Sequence, residues 1–92
     1  MHPARTQRHF SSAKAAANES KFPNIVELLI ASDGLDIALS LQIMDFHNAR
    51  HIKPRHGQTI KKEGELYYRW CFSDLATARA FIEQFGGTLY AR

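Results

Sequence analysis

The sequence has little cysteine and no long apolar run. It contains one cysteine, Cys71, so these 92 residues can form no disulfide among themselves. That usage suits a reducing compartment, and a lone apolar-flanked cysteine is usually structural. No apolar run approaches the roughly 20 residues that a membrane-spanning helix needs. We therefore expect a cytoplasmic protein without a membrane partner.

Acidic residues are scarce at the start of the chain. Residues 1–21 hold four bases and a single acid, Glu19, so the whole net charge of +3 arises there. The segment also lacks periodic hydrophobicity, and its alanine-rich part is too short to form a stable helix alone. We expect residues 1–22 to be a disordered basic tail. A transit peptide and a nucleic-acid-binding arm are alternatives.

From Pro23 onward the chain has the composition of one packed domain, over residues 23–92. Asn24–Ala31 predicts a central strand with Val26, Leu28 and Ile30 on the core face and Glu27 on the wet face. The next segment predicts a helix from about Gly34 to Ala49 with Asp33 as its N-cap. The apolar residues of that helix form two opposite stripes. The first stripe consists of Leu35, Ala38, Leu39, Ile43 and Phe46. The second consists of Ile37, Leu41 and Met44.

The second stripe needs a cover, because a surface helix requires only one apolar stripe. The tail offers little apolar material, so we expect a second copy of the chain to cover it in a homodimer.

After Pro54 the pattern changes to strands. Gln58–Lys62 predicts a weak strand with edge lysines, and Glu63-Gly64-Glu65 predicts a hairpin turn. Residues 66–72, LYYRWCF, alternate between the two faces of a strand. The inward set is Leu66, Tyr68, Trp70 and Phe72, and the outward set is Tyr67, Arg69 and Cys71. Ser73 is expected to cap the following helix and Gly86 to end it. The expected core stripe of this helix is Leu75, Ala78, Phe81, Ile82 and Phe85. Thr88–Ala91 predicts a short last strand.

The element order, strand, helix, strand, strand, helix, strand, is the βαββαβ pattern of the ferredoxin-like superfold. It predicts a two-layer α+β domain with a four-stranded antiparallel sheet and two helices on one face. The first and third strands, which are the most apolar, should be central.

The segment after the first helix concentrates positive charge without an acid. Its candidate anion ligands are His47, Arg50, His51, Lys53, Arg55 and His56. Cations are favourable at a helix C-terminus, so a solvated basic end is one interpretation. An anion site and a histidine general base are two others. Zinc held by His47, His51 and His56 is a further alternative. We predict no metal and no cofactor, because no cysteine or acid completes the set locally.

Two short stretches resemble known families. Arg55 to Thr59, RHGQT, resembles the RHG signature of the histidine phosphatases, which implies that His56 takes up a phosphoryl group. That family has an apolar strand where Lys53 and Pro54 stand here.

The third strand and its helix resemble the second half of an RNA-recognition motif, with Phe72, Ala80 and Ile82 at matching positions. This resemblance implies base stacking at Tyr67 and Arg69, of which only the first is aromatic.

The whole chain resembles short uncharacterised alphaproteobacterial proteins with a histidine- and arginine-rich loop and an aromatic–FGG segment. On the outer sheet face, the candidate interface residues are Ile25, Leu29, Tyr67 and Arg69. The sequence thus predicts a self-associating domain that binds an anionic small molecule or partner through its basic loop. A small enzyme with a histidine base and a nucleic-acid-binding domain are the alternatives.

Overall fold

A four-stranded antiparallel sheet is the frame of the molecule. The computed structural model describes residues 13–31 and 35–90. The elements are helix α1 over residues 13–21, strand β1 (Asn24–Ile30), helix α2 (Ile37–Ala49), strand β2 (Ile60–Lys62), strand β3 (Glu65–Phe72), helix α3 (Leu75–Phe85) and strand β4 (Thr88–Leu89). The strand order is β2-β3-β1-β4, and every neighbouring pair is antiparallel. The predicted α+β class and antiparallel sheet are therefore confirmed.

Strands β1 and β3 lie at the centre of the sheet, as their apolar content predicts. They pair along seven residues, with Val26 opposite Trp70 and Leu28 opposite Tyr68. Because alternate residues of a strand share a face, these pairs place one apolar row of each strand on the same side. Both edge strands are short. The lysines of β2 are exposed, which discourages pairing with another chain.

The core lies between this sheet face and helices α2 and α3. Phe81 of α3 is fully buried and its ring centre lies 5.4 Å from Phe46 of α2 and 5.3 Å from Trp70 of β3. Such edge-on and tilted aromatic contacts add about 0.5–1.5 kcal/mol each beyond the burial of area. The predicted core stripes of both helices are confirmed in large part. The buried core residues are Val26, Leu28, Ile30, Ile43, Phe46, Trp70, Phe72, Ala78 and Phe81.

Two of the predicted helix caps were wrong. Helix α2 is capped by Asp36, whose extended backbone lets its carboxylate accept the N–H of Leu39 at 2.7 Å. The predicted cap, Asp33, lies outside the described residues. Helix α3 is capped by Asp74 in the same way, through Thr77, so Ser73 stands one residue too early. In both cases an aspartate three residues before an available N–H wins the capping position.

Glycines shape the two chain reversals next to the sheet. The turn between β2 and β3 has positive φ at Glu63 and Gly64, as a two-residue type I′ turn requires, and confirms the predicted hairpin. Gly86, with φ 88°, ends α3 as predicted. At Gly87 a Cβ atom would lie 2.6 Å from the backbone oxygen of Glu27, so glycine lets β4 approach β1.

Residues 13–21, which the sequence places in a disordered tail, form helix α1. The helix packs on the sheet face opposite to α2 and α3, where Glu19 contacts Arg69. Residues 1–12 lie outside the described residues. The sheet therefore has helices on both faces, and α1 is an addition to the predicted two-layer arrangement.

Candidate functional site

The six candidate ligands of the basic segment do not form one cluster. His47 lies in the core, with 1 % of its surface exposed, and its ring stacks on Phe72 at 5.6 Å. Its Nδ1 donates to the carbonyl oxygen of Ile43 at 2.8 Å. This leaves Nε2 buried, and it has no hydrogen-bond partner among the described residues. His47 is therefore a core residue of α2, and the expectation that it faces a ligand beside His51 is wrong.

Arg50 and His51 complete the end of α2. The N–H of His51 donates to Asn48 and that of Ile52 donates to His47, while His51 adopts a left-handed φ of 56°. This is the Schellman arrangement, which satisfies the last carbonyl groups of a helix. The guanidinium of Arg50 lies 3.8 Å above the Phe46 ring and donates to the Phe46 carbonyl oxygen at 3.2 Å. Both residues thus stabilise the C-terminal end of α2.

The other three candidates line an open groove between α1 and the chain that follows α2. The groove has a volume of about 660 Å³. Its basic residues are Lys14, Lys53, Arg55 and His56, and the described residues that line it include no acid. The amide-bearing residues Asn18 and Gln58 also contribute. A concave surface of this size with cations and amide donors is suited to an anion.

Backbone hydrogen bonds fix the position of the groove. The N–H of Gly57 donates to the carbonyl oxygen of Arg69, and the N–H of Cys71 donates to that of Arg55, both at 2.8 Å. The segment therefore continues the edge of the sheet beyond β2, with His56 opposite Trp70. Because neighbouring residues of an extended segment point to opposite faces, His56 lies on the Trp70 side and Arg55 on the side of α1.

Arg55 connects this groove with a second one. Its guanidinium lies 4.2 Å above the ring of Phe22, which follows α1. Arg55 and Lys53 also line a smaller groove of about 340 Å³ that reaches Asp74 at the start of α3. Lys53 and Arg55 therefore lie on the ridge between the two grooves, and we call them the ridge cations.

His56 is the exposed histidine of the groove. Its ring centre lies 5.6 Å from that of Trp70. Partial desolvation, followed by the charge of His47, lowers the pKa of His56. The ring is therefore mostly neutral at pH 7 and lies on the Trp70 side of the segment, so the positive charge of the groove comes from Lys14, Lys53 and Arg55.

A buried cluster of ions fastens α1 beside the groove. Arg69, 8 % exposed, donates to Glu27 at 2.8 Å and to Glu19 at 3.1 Å. Lys62, on the edge strand β2, donates to Glu27 at 3.1 Å. Burial alone would raise the pKa of Glu27, but the hydrogen bonds from Arg69 and Lys62 outweigh it and lower that pKa. Burial would lower the pKa of Arg69, but the two carboxylates raise it.

This cluster corrects the expectation for the outer sheet face. Glu27 was predicted on a wet face and Arg69 at an interface, yet both are buried within the chain, as is Ile25. Leu29 is exposed over 52 % of its surface, and Tyr67 is partly buried with Lys62 4.7 Å above its ring. Of the four candidate interface residues, Leu29 and Tyr67 are the two that are not buried by the described part of the chain.

Sequence reasoning missed the contribution of α1, which supplies Lys14 and Asn18 to the groove. Asn18 also donates to the backbone oxygen of His56 at 2.8 Å. The inward positions of the helix follow a helical spacing, at residues 15, 18 and 19. They are occupied by alanine, asparagine and glutamate, so no hydrophobic periodicity marks them.

Within the described ranges, no three His, Cys, Asp or Glu side chains come together in a way that could hold a metal ion. The zinc alternative for His47, His51 and His56 thus finds no support there. In the same part of the chain, no helix is long and apolar enough to cross a membrane. No family model, curated protein or solved structure matches the chain.

The burial of His47 predicts a loss of stability in mild acid. Burial, opposed by the bond to Ile43 and reinforced by Arg50, lowers the pKa of His47 below its usual 6.5. The unfolded chain therefore binds a proton more readily than the folded chain, so the free energy of unfolding falls as pH drops below about 6.5. Replacing the ring by His47→Leu should flatten this dependence between about pH 6.5 and 5.

Urea unfolding at a series of pH values measures the effect. His51→Asn, at an exposed position, is the matched control and should keep the wild-type slope. An unchanged slope in His47→Leu would show that His47 is not the group responsible.

Proposed function

We propose that this protein is a small binding domain that takes up an anionic ligand in the groove between α1 and residues 53–59. The observation that carries the proposal is that Lys14, Lys53, Arg55 and His56 line that groove, with no acid among its described lining residues. The ligand class is one with a phosphate or carboxylate group, because ammonium and guanidinium groups bind such oxyanions by charge-assisted hydrogen bonds. We place the protein in the cytoplasm, in keeping with its single, buried cysteine.

The charge balance around the groove supports an external anion. The buried acids Glu19 and Glu27 are already engaged with Arg69 and Lys62. The exposed ammonium groups of Lys14 and Lys53 form no ion pair with the described acids. Their charges are therefore available to a ligand.

Nucleic acid is the second candidate ligand. The ridge cations Lys53 and Arg55 border both grooves, so a phosphodiester chain could pass from one groove to the other. Binding of that kind weakens steeply with salt, because each neutralised phosphate releases counterions. The histidine-base alternative would rest on His51 or His56, since His47 is enclosed.

Removal of the ridge cations should weaken anion binding. In Lys53→Ala and Arg55→Ala, we expect the dissociation constant for inorganic phosphate to rise at least tenfold, since a hydrogen bond to a charged group contributes about 1.5–3 kcal/mol. Amide chemical shifts measure both affinity and place, and residues 53–59 and Asn18 should respond.

Lys61→Ala is the charge-matched control, because Lys61 is exposed on β2 outside the groove. It should leave phosphate affinity within about twofold of the wild type. Equal losses in all three variants would indicate general charge attraction and would contradict a localised site. Retention of binding at high salt would argue against nucleic acid as the ligand.

We also propose that the chain forms a homodimer through the outer stripe of α2. Ile37, Leu41 and Met44 are 78, 60 and 51 % exposed and follow one another at helical spacing. The opposite stripe of the same helix is in the core, so the helix remains apolar on its outer side. An isologous contact between two copies of this stripe would cover both at once.

A charge placed on this stripe should separate the dimer. We expect the wild type to sediment as a dimer at micromolar concentration and Leu41→Glu to sediment as a monomer, since the carboxylate would have to be desolvated in the contact. Gln42→Glu, an exposed position on the same helix, is the matched control and should remain dimeric. A monomeric wild type would contradict the proposal.

For the architecture, we propose a ferredoxin-like arrangement. Its supports are the central position of β1 and β3, the edge positions of β2 and β4, and the common core of α2 and α3. Helix α1 is an added element on the other face of the sheet.

A further inference from the structure

The Glu19 carboxylate lies in a small cradle built by residues of the sheet and of the segment beside it. Arg69 Nη1 donates to both carboxylate oxygens, at 3.1 and 3.2 Å. The backbone N–H of Gln58 donates to Oε2 at 2.7 Å. A guanidinium and a backbone amide that converge on one carboxylate form an anion-binding arrangement.

Gly57 gives the cradle its space. A Cβ atom on Gly57 would lie 2.6 Å from Glu19 Oε2 and 3.0 Å from Glu19 Cγ. The backbone at position 57 does not require a glycine, since Gly57 is not among the residues with a positive φ angle. Its lack of a side chain therefore leaves space for the Glu19 carboxylate and for the neighbouring Arg69 Cβ, which would lie 3.0 Å from a Cβ atom on Gly57.

The charges of the cradle balance only while an anion is present. Arg69 and Lys62 supply two positive charges, and Glu27 and Glu19 supply two negative ones. The fork of Arg69 formed by Nε and Nη2 is fixed on Glu27. Without Glu19, a buried guanidinium nitrogen and the Gln58 amide would lack their shared acceptor, and such groups are costly to leave unpaired.

The occupant, unlike the cradle, belongs to a separable element. Glu19 is carried by α1, which is joined to β1 by Phe22 and Pro23 alone. The groove of the proposed function is lined by Gly57 and Gln58, whose backbones form the cradle. A ligand in that groove therefore lies beside the two residues whose backbone contacts Glu19.

We propose that Arg69, Gly57 and the Gln58 amide form a carboxylate-binding site that Glu19 fills from within the chain, and that the carboxylate of an external ligand can replace Glu19 and release α1 from the sheet. The inference rests on the proposed function, since it names the ligand group and adds regulation by α1. Lys14 and Asn18 leave the groove with α1, so occupation of the cradle changes the ligand surface around it.

The first test asks whether the cradle accepts an external carboxylate. In Glu19→Ala the lost part of the side chain matches acetate, so acetate should raise the melting temperature of this variant well above its value in chloride of equal ionic strength. Glu83→Ala, at an exposed position on α3, is the matched control and should respond to the two salts equally. Glu19→Ser, which also leaves the cradle empty, serves the same comparison if the alanine variant does not fold. Equal effects of acetate on the Glu19 variants and the control would overturn the cradle.

The second test asks whether the exchange occurs in the unaltered protein. Hydrogen exchange of residues 18–22 reports the opening of α1, because the N–H of Phe22 is bonded to the Asn18 carbonyl oxygen. A ligand that binds only the open state raises its population, so exchange should accelerate about tenfold when acetate reaches ten times its dissociation constant for the open cradle. The hydrogen exchange of the β3 amides should be unchanged by acetate.

Rescue of Glu19→Ala without faster exchange in the wild type would make Glu19 a fixed structural ligand and would overturn the replacement step. The proposed function is judged separately, because phosphate binding that depends on Lys53 and Arg55 can persist while both acetate tests fail. Inorganic phosphate in place of acetate distinguishes the ligand groups: an equal effect of phosphate would contradict the assignment to carboxylates.

Discussion

Arg69 brings a positive charge into the middle of β3, at a position where the sheet is covered from both sides. The cost of removing a guanidinium from water is offset only if carboxylates surround it with good geometry. One carboxylate, Glu27, comes from the directly opposed residue of β1. The other, Glu19, has to be brought by α1, so the electrostatics of one buried residue decide where the first helix lies.

That constraint extends to the candidate site. Glu19 accepts the Gln58 amide, and Asn18 donates to the His56 carbonyl oxygen, so α1 holds the segment that carries the basic residues. The edge of β3 holds the same segment from the other side through Arg55 and Gly57. A loop that would otherwise run freely from α2 to β2 is thereby fixed at both faces, and Lys53, Arg55 and His56 keep defined positions beside Lys14.

The sequence predicted the sheet and its core well because their signals are local and apolar. The alternation from Leu66 to Phe72 and the stripe of α3 name the buried faces directly. The caps failed by one and three residues, since each helix start offers two candidate caps and only backbone geometry chooses between them. The candidates are Asp33 and Asp36 for α2, and Ser73 and Asp74 for α3. His47 was misplaced because its polarity suggested a surface ligand, whereas its position one residue after Phe46 takes it into the aromatic core.

The site itself was only half predictable. Its basic loop is visible as a charge pattern, but α1 buries alanine, asparagine and glutamate, and no hydrophobic periodicity reveals such a helix. The rule that charged residues lie on the surface failed for Arg69 and Glu27. Each can be buried because it forms an ion pair with the other, and the two are 42 positions apart in the sequence. A short stretch of sequence does not reveal that two oppositely charged residues far apart in the chain will pair.

The contact between Glu19 and Arg69 fastens α1 to the sheet. A double-mutant cycle on the free energy of unfolding, with Glu19→Gln, Arg69→Gln and the double variant, tests it most directly. We expect a coupling energy of about 1–3 kcal/mol, as is usual for residues that share a buried network. Additive effects, with a coupling below about 0.5 kcal/mol, would contradict it.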